Sequence, residues 1–484
     1  MQPVTVRTIA RRLSGFIPGG PQGLLQRFRP VPDQPTLTVE EQRDKLAREL
    51  RTSAQPHLVN ESLNKLEREN GYSRLHSYPV FVSMAVDNKC NAQCHFCLYR
   101  HDKSVAHKYL TVEQFKKMTW LRFISKLALQ TGLNDSLVSP EFPAIFDYIA
   151  STYPHIHTHL QTNGIGLKPS LVESMADRLG TIVVSIHAAR AETWAQQLQV
   201  SPKGFERMME NLGRLAALRT QTPHKPRIIM AFAIQTCNAQ EMPEFVERAH
   251  AIGADLVRFV HLIPDHLDDA YVKAQSMHYR QAEFDHFMGE AIERAEALGV
   301  PMERPPLFSE EQDDGQEAHP EDFIIYKGTI RARKPSDVGP ATFRGCDDPW
   351  RLLGLTAAGF ANFCCKGADP GFFDFDDLDE PGFDRVWNSE LAQWWRRTTN
   401  VDGGNPLCTL CQGHDNSIPA VSWQRRNIVQ RYREDMSVAY GLPNPYPQSE
   451  KSGVYDPTST EFYFCDAEDE RRLSVDDVVK QGRG

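Results

Sequence analysis

Between residues 80 and 262, short runs of β-branched and other apolar residues alternate with longer stretches in which apolar positions return every three or four residues. The short runs predict strands at Val80–Val86, Ser125–Gln130, His157–Gln161, Ile182–Ile186, Ile228–Ile234 and Leu256–Leu262. Between or after them, Leu110–Met118, Phe205–Leu218, Met242–Ile252 and His278–Leu298 carry the period of amphipathic helices. Such a series predicts an α/β fold with a parallel sheet and crossover helices, doubly wound or curved toward a barrel.

The flanks differ in character. Pro18–Pro35 is rich in Gly and Pro and reads as a linker. A helix is predicted after it, because Thr38 and Glu41 form a capping-box pair and Leu46 and Leu50 follow at helical spacing. After Pro301 the composition turns acidic and Pro/Gly-rich (FSEEQDDGQEAHPED), and a cysteine-bearing stretch follows. The expected division is a basic leader, linker and helical extension at 1–75, a strand-helix body at 76–305, a linker at 306–341, a smaller cysteine-bearing unit at 342–415, and a C-terminal helix (WQRRNIVQRYR) and tail at 416–484.

Composition narrows the classes. A chain of 484 residues with 40% hydrophobic and 24% charged residues fits an ordinary globular protein of two or three packing units. With 54 basic against 63 acidic residues and a net charge of −9, no nucleic-acid partner is expected. No apolar run approaches the ~18 residues of a membrane span. Arginines at 7, 11, 12, 27 and 29 precede the first acid, Asp33, but without the apolar core of a secretory signal, so a cytoplasmic location is expected. Ten cysteines are too few for a disulfide scaffold, and their clustering looks like ligand spacing.

The sharpest cluster is CNAQCHFC, where Cys90, Cys94 and Cys97 follow the first predicted strand. Three thiolates on one loop could hold an iron-sulfur cluster with one iron open to a non-protein ligand, or a zinc ion completed by His95 or a distant residue. Further along come TGLNDSLVSPEF after the second predicted strand, QTNG at the end of the third and VVSIHAA at the fourth.

In this order the four segments resemble the radical S-adenosylmethionine (SAM) superfamily, over roughly residues 78–305. The resemblance implies a partial (β/α)6 TIM-like barrel and a SAM-binding [4Fe-4S] cluster on Cys90, Cys94 and Cys97, with Phe96 as the aromatic before the third cysteine. It implies that Gly132 and Asp135 receive the SAM amino group, Asp135 standing where Glu is usual. Asn163 lies in the QTNG signature, Ser185 matches the serine that contacts the SAM ribose, and His187 stands where an acid is frequent. The implied activity is reductive cleavage of SAM to a 5′-deoxyadenosyl radical that abstracts a substrate hydrogen, with electrons from a donor such as flavodoxin or ferredoxin.

The second cluster comprises Cys346, Gly359 and Cys364, then Cys408 and Cys411 in CTLC. Four thiolates complete a closed site for zinc or for an iron-sulfur cluster. The segments GCDDPWRLLGLTAAGFANFCC, FDRVWNSELAQWWRRT and PLCTLC resemble the C-terminal extension called SPASM when it holds two clusters and twitch when it holds one. No further cysteine pair follows CTLC at short spacing, so one auxiliary [4Fe-4S] cluster on Cys346, Cys364, Cys408 and Cys411 is implied, with an electron-transfer role. Cys365 could replace Cys364, while Cys237 and Cys465 read as packing thiols.

Candidate substrate contacts are the polar residues at late strand ends: Gln235, Arg258, His261 and His187. Arg258 and His261 are three positions apart, so at most one of them faces the barrel interior. The expected reaction is oxidation or rearrangement of a small metabolite such as a sugar or aminocyclitol. The alternatives are a ribosomal-peptide maturase and a non-catalytic zinc or iron-sulfur protein.

Overall fold

The computed structural model describes residues 37–97, 107–130, 134–262, 274–311, 323–326, 329–332, 346–357, 359–364, 371–372 and 374–400. Within them every predicted strand forms: β1 (Phe81–Met84), β2 (Lys126–Ala128), β3 (His157–Thr162), β4 (Thr181–Ser185), β5 (Arg227–Ile234) and β6 (Leu256–His261). They pair in parallel in sequence order, and a short β7 (Met302–Glu303) closes the series beside β6. Among the crossover helices, α3 (Val112–Lys117), α7 (Gly204–Arg219), α8 (Met242–Ile252) and α9 (Gln281–Leu298) are the predicted ones. The sequence reading did not assign α4 (Phe142–Thr152), α5 (Pro169–Met175) and α6 (Ala191–Leu198), which are short segments of two or three turns. The body is the expected partial (β/α)6 barrel.

The two faces of the sheet differ. Successive strand residues point to opposite sides. On the outer side Val82, Leu127, Leu160, Val184, Met230 and Val257 are fully buried under the helices. Phe232 and Phe259 meet Phe245 of α8 there, which is why β5, buried on both faces, reads as the continuous apolar run IIMAFAI. On the inner side the small cluster of Val183, Ile229, Ala231 and Leu256 is separate from the main core. Around it the half-buried Ser83, Lys126, His159, Gln161, Ser185 and Arg258 line a polar concavity, where Val260 remains 41% exposed.

The predicted N-terminal helix is α1 (Val39–Thr52), followed by α2 (Pro56–Glu69). Its capping box is formed: Glu41 N–H donates to the Thr38 hydroxyl at 3.2 Å, and Thr38 N–H donates to the Glu41 carboxylate at 2.8 Å.

Where the sequence suggested only a linker, residues 306–341 include a short helix α10 (Phe308–Glu311) and an antiparallel hairpin of β8 (Phe323–Tyr326) and β9 (Thr329–Ala332). The next stretch, drawn from the sequence as a separate unit, is continuous with the barrel. After α11 (Asp348–Arg351), β10 (Leu352–Leu355) pairs in parallel with β1, and β11 (Phe360–Asn362) and β12 (Gly371–Phe372) extend the sheet antiparallel to ten strands. Two helices follow, α12 (Glu380–Trp387) and α13 (Glu390–Thr398).

These C-terminal elements also grip the N-terminal extension. Trp387 donates its indole N–H to Ser77 O (2.9 Å), Trp350 donates to Tyr72 O (2.8 Å), and Asn388 bonds both N–H and C=O of Leu75. Arg396 is buried against the Trp387 ring and donates to the carbonyls of Ser73, Pro349 and Trp387. Extension, barrel and C-terminal strands therefore share one core. No helix among the described residues is long and apolar enough to cross a membrane.

Candidate active site

The segments singled out in the sequence follow the C-terminal ends of neighbouring strands, the edge where barrel enzymes place reactive groups. The cysteine loop after β1 is held there from several directions. Asp135, after β2, donates its backbone N–H to Lys89 O at 3.0 Å. Gln93 and His95 donate their backbone N–H groups to Leu198 and Gln197, at the end of α6. The side chain of Asn163, from QTNG after β3, donates to Asn91 Oδ1 (2.7 Å) and to Cys90 Sγ (3.5 Å).

QTNG earns its shape from tertiary contacts. The Asp135 carboxylate is buried and accepts three hydrogen bonds, from the Thr162 hydroxyl (2.8 Å), Asn163 N–H (2.8 Å) and Leu137 N–H (3.0 Å). Its oxygens are thus engaged in joining the β2 and β3 loops, a role that the SAM contact expected of it did not anticipate. Burial nevertheless pushes its pKa up, and the three hydrogen bonds only partly offset that. Gly164 has a left-handed φ of +80°, and a Cβ there would lie 2.6 Å from Met208 Sδ and 2.9 Å from Val184 Cγ1, so only glycine fits.

Phe96 sits edge-on between His95 and His187, each ring centroid 5.2 Å away. His187 adopts a left-handed φ of +61° after β4, and its Nδ1 accepts from Ala233 N–H at 2.9 Å. Burial, with His95 adding to it, pushes its pKa down to about 4. Ser185, one register step before that turn, faces inward and accepts from Gln161 Nε2 at 3.4 Å.

The late-strand candidates part company. Gln235 is fully buried, accepts at Oε1 from His95 Nε2 at 2.9 Å and donates from Nε2 to Gln197 Oε1 at 2.7 Å. Gln197 in turn donates to Cys237 Sγ, so Gln235 belongs to a relay of side chains bracing the cysteine loop. His261 faces the helix layer, its ring against Phe284 and Phe308, and this corrects its candidacy as a substrate contact. Arg258 faces inward and donates to Glu303 at 2.8 Å. The expectation that no more than one of the two looks inside is met by Arg258.

The sequence reading missed Lys126, His159 and Gln161, all inward and half-buried. Their signal was the alternation of polar residues in HTHLQT, where His157, His159 and Gln161 occupy every second place.

The cysteine thiols suit a cationic partner. Burial pushes Cys90 up to about 11, with Asp135 and Cys97 adding to the rise, and burial and the two neighbouring cysteines push Cys94 higher still. Such a trio becomes thiolate when a positive group binds. Among the described residues no three His, Cys, Asp or Glu side chains close around a single metal-ion position. His95, the local candidate for a fourth zinc ligand, has Nε2 engaged with Gln235. A multi-iron cluster, in which each iron takes one thiolate, accommodates more widely spaced donors.

In the second cluster, Cys346 is framed by Asn400, which accepts from its N–H (2.7 Å) and donates to its C=O (2.8 Å). Gly359 turns the chain between β10 and β11 with a left-handed φ of +92°, just ahead of Cys364. Gly132, Cys365, Cys408, Cys411 and Cys465 lie outside the described residues.

Residues 84–232 match the family model of the Radical SAM superfamily. No curated protein matches the chain at a significant level. Among solved structures, Streptococcus suis SuiB bound to its precursor peptide SuiA is 14% identical with a TM-score of 0.46, over 74% of this chain and 76% of that one. The enzyme anSMEcpe with bound AdoMet and Cp18Cys peptide is 12% identical with a TM-score of 0.41, over 76% and 100%. BtrN in complex with AdoMet and 2-DOIA is 10% identical with a TM-score of 0.32, over 67% and 87%. The family implies SAM and a [4Fe-4S] cluster as cofactors. Residues 84–232, the part of the barrel that carries the cysteine loop at its strand ends, match the Radical SAM superfamily.

Proposed function

We propose that the chain is a radical SAM enzyme that oxidises or rearranges a small molecule held on the inner face of the barrel, with a second, auxiliary [4Fe-4S] cluster for electron transfer. The observation that carries this reading is the convergence of segments from the ends of β2, β3, α6 and β5 on the loop of Cys90, Cys94 and Cys97. When bound, the first cluster supplies the electron for reductive cleavage of SAM, and the resulting 5′-deoxyadenosyl radical takes a hydrogen atom from the substrate.

The chain's own residues have distinct tasks. Cys90, Cys94 and Cys97 hold the cluster, and Asn163 hydrogen-bonds the Cys90 sulfur, which helps keep it in its thiolate form. Phe96, wedged between two histidines, shields the loop from water. Ser185 offers an inward hydroxyl to the SAM ribose, and Asp135 acts by fixing the QTNG turn. Cys346, Cys364, Cys408 and Cys411 are assigned to the auxiliary cluster. The segment after α2 is bound by the C-terminal helices α12 and α13, an employment that favours a small-molecule substrate over a peptide whose leader would need its own docking domain.

The test is anaerobic purification followed by iron and sulfide analysis and incubation with SAM and dithionite. Roughly eight irons per chain, about four per cluster, and release of 5′-deoxyadenosine are expected. Replacing Cys90, Cys94 and Cys97 with Ala should abolish release, and replacing Cys408 and Cys411 should remove about four irons. Zinc in place of iron, or no SAM cleavage by the iron-loaded protein, would refute the proposal.

A further inference from the structure

The inner face carries a concentration of basic groups that the chemistry above leaves unused. In β2, Lys126 lies directly opposite His157 of β3, and one step further in register Ala128 lies opposite His159. Lys126, His157 and His159 therefore share the inner face of two adjacent strands. The Lys126 ammonium is 4.9 Å from the Phe81 ring centroid and has no carboxylate partner among the described residues. Neither ring nitrogen of His159 has a hydrogen-bond partner among the described residues, although its side chain is half-buried.

Arg258 joins them from the other side. It lies on β6, three strands from β3 in the sheet, and faces the same concavity. Burial is the larger influence on His159, and with these charges it pushes the pKa down to about 4, so the ring is neutral at neutral pH. The carboxylate of Glu303 pairs with Arg258 and leaves Lys126 uncompensated.

A half-buried lysine without an anion partner carries a desolvation cost. A structural role would be met better by apolar residues, as on the opposite face of the same strands. An anion entering the concavity would relieve that cost.

We infer that the barrel interior binds an anionic group of the substrate, a carboxylate or a phosphate, between Lys126 and Arg258, with His159 as a neutral hydrogen-bonding partner. This rests on the reading of the interior as the substrate chamber, and it favours an acid or phosphate ester over an aminocyclitol. A cationic amine would meet repulsion there.

The experiment uses the anaerobically reconstituted full chain and isothermal titration calorimetry with three probes: inorganic phosphate, N-acetylglycine and methylammonium. Saturable binding of phosphate or of N-acetylglycine is expected, the tighter of the two naming the group, with methylammonium silent. Lys126→Gln and Arg258→Gln should each weaken the anion at least tenfold, and His159→Phe should weaken it while preserving ring volume. Lys203→Met, on the exposed surface before α7, should leave binding unchanged. Circular dichroism selects folded variants, and one folded member of the Lys126 and Arg258 pair suffices. Absence of anion binding, preference for methylammonium, or binding indifferent to both substitutions would overturn the inference. SAM cleavage by the same wild-type preparation is scored separately, so loss of the proposed function and loss of the anion site are distinguishable.

Discussion

The carboxylate of Asp135 accepts a hydrogen bond from the hydroxyl of Thr162 at 2.8 Å, fastening the loop after β2 to the end of β3 from a fully interior position. With the N–H groups of Asn163 and Leu137 it completes a clasp under the cysteine loop.

Removing that clasp should cost stability as well as cofactor affinity. Asp135→Ala leaves the buried N–H groups of Leu137 and Asn163 and the Thr162 hydroxyl without their acceptor, a loss on the order of 3 kcal/mol. The urea midpoint should fall accordingly, and iron retention should fall with it because Asn163 no longer holds Cys90. A variant as stable as wild type, defective only in SAM affinity, would show instead that Asp135 serves the SAM amino group alone.

His187 gives the fold an acid sensitivity whose direction is fixed. Its folded pKa, about 4, is below the ordinary value of 6.5, so between these pH values the unfolded chain binds a proton that the folded chain refuses. Stability is full above pH 6.5 and declines as the pH falls toward 4, by on the order of 2 kcal/mol after allowance for partial exposure. His187→Asn keeps an acceptor for Ala233 N–H and tolerates the left-handed backbone. Urea midpoints at pH 7.5 and 5 should differ less in this variant than in wild type; equal differences would assign the acid sensitivity elsewhere.

Arg396 joins three parts of the chain, donating to carbonyls in the 73–78 segment, the α11 turn and the end of α12. Arg396→Met would strand those buried carbonyls and cost about 3–5 kcal/mol. Arg396→Lys, with one point charge in place of a planar fork, should recover only part of the loss. Differential scanning calorimetry would register both, and protease cleavage should appear first near residues 70–78. A wild-type melting temperature in Arg396→Met would mean that the N-terminal extension docks without it.

Much of this architecture was legible in the sequence because it depends on local pattern. The strands β1 to β6 and helix α8 follow from periodicity, which neighbouring residues determine. The CNAQCHFC loop and the order of TGLNDSL, QTNG and VVSIHAA marked the candidate site before any coordinate. What escaped was orientation. Gln235 looked like a substrate contact because it ends a strand, but its amide completes the relay from His95 to Cys237. Lys126 and His159 attracted no notice because a basic residue in a strand looks solvent-exposed until the opposite strands curve around it.

By itself, then, the sequence determined the α/β barrel, the resemblance to the radical SAM superfamily and the cysteines proposed to hold a cluster, since spacing along one loop already limits which ligands can meet. Only the tertiary structure decided that β10 would pair with β1, that His261 would face the helices while Arg258 faced the interior, and that Asp135 would lock a turn. Each of these depends on the register between segments far apart in the chain. A one-residue shift of that register reverses every side chain on a strand, and no local periodicity fixes it.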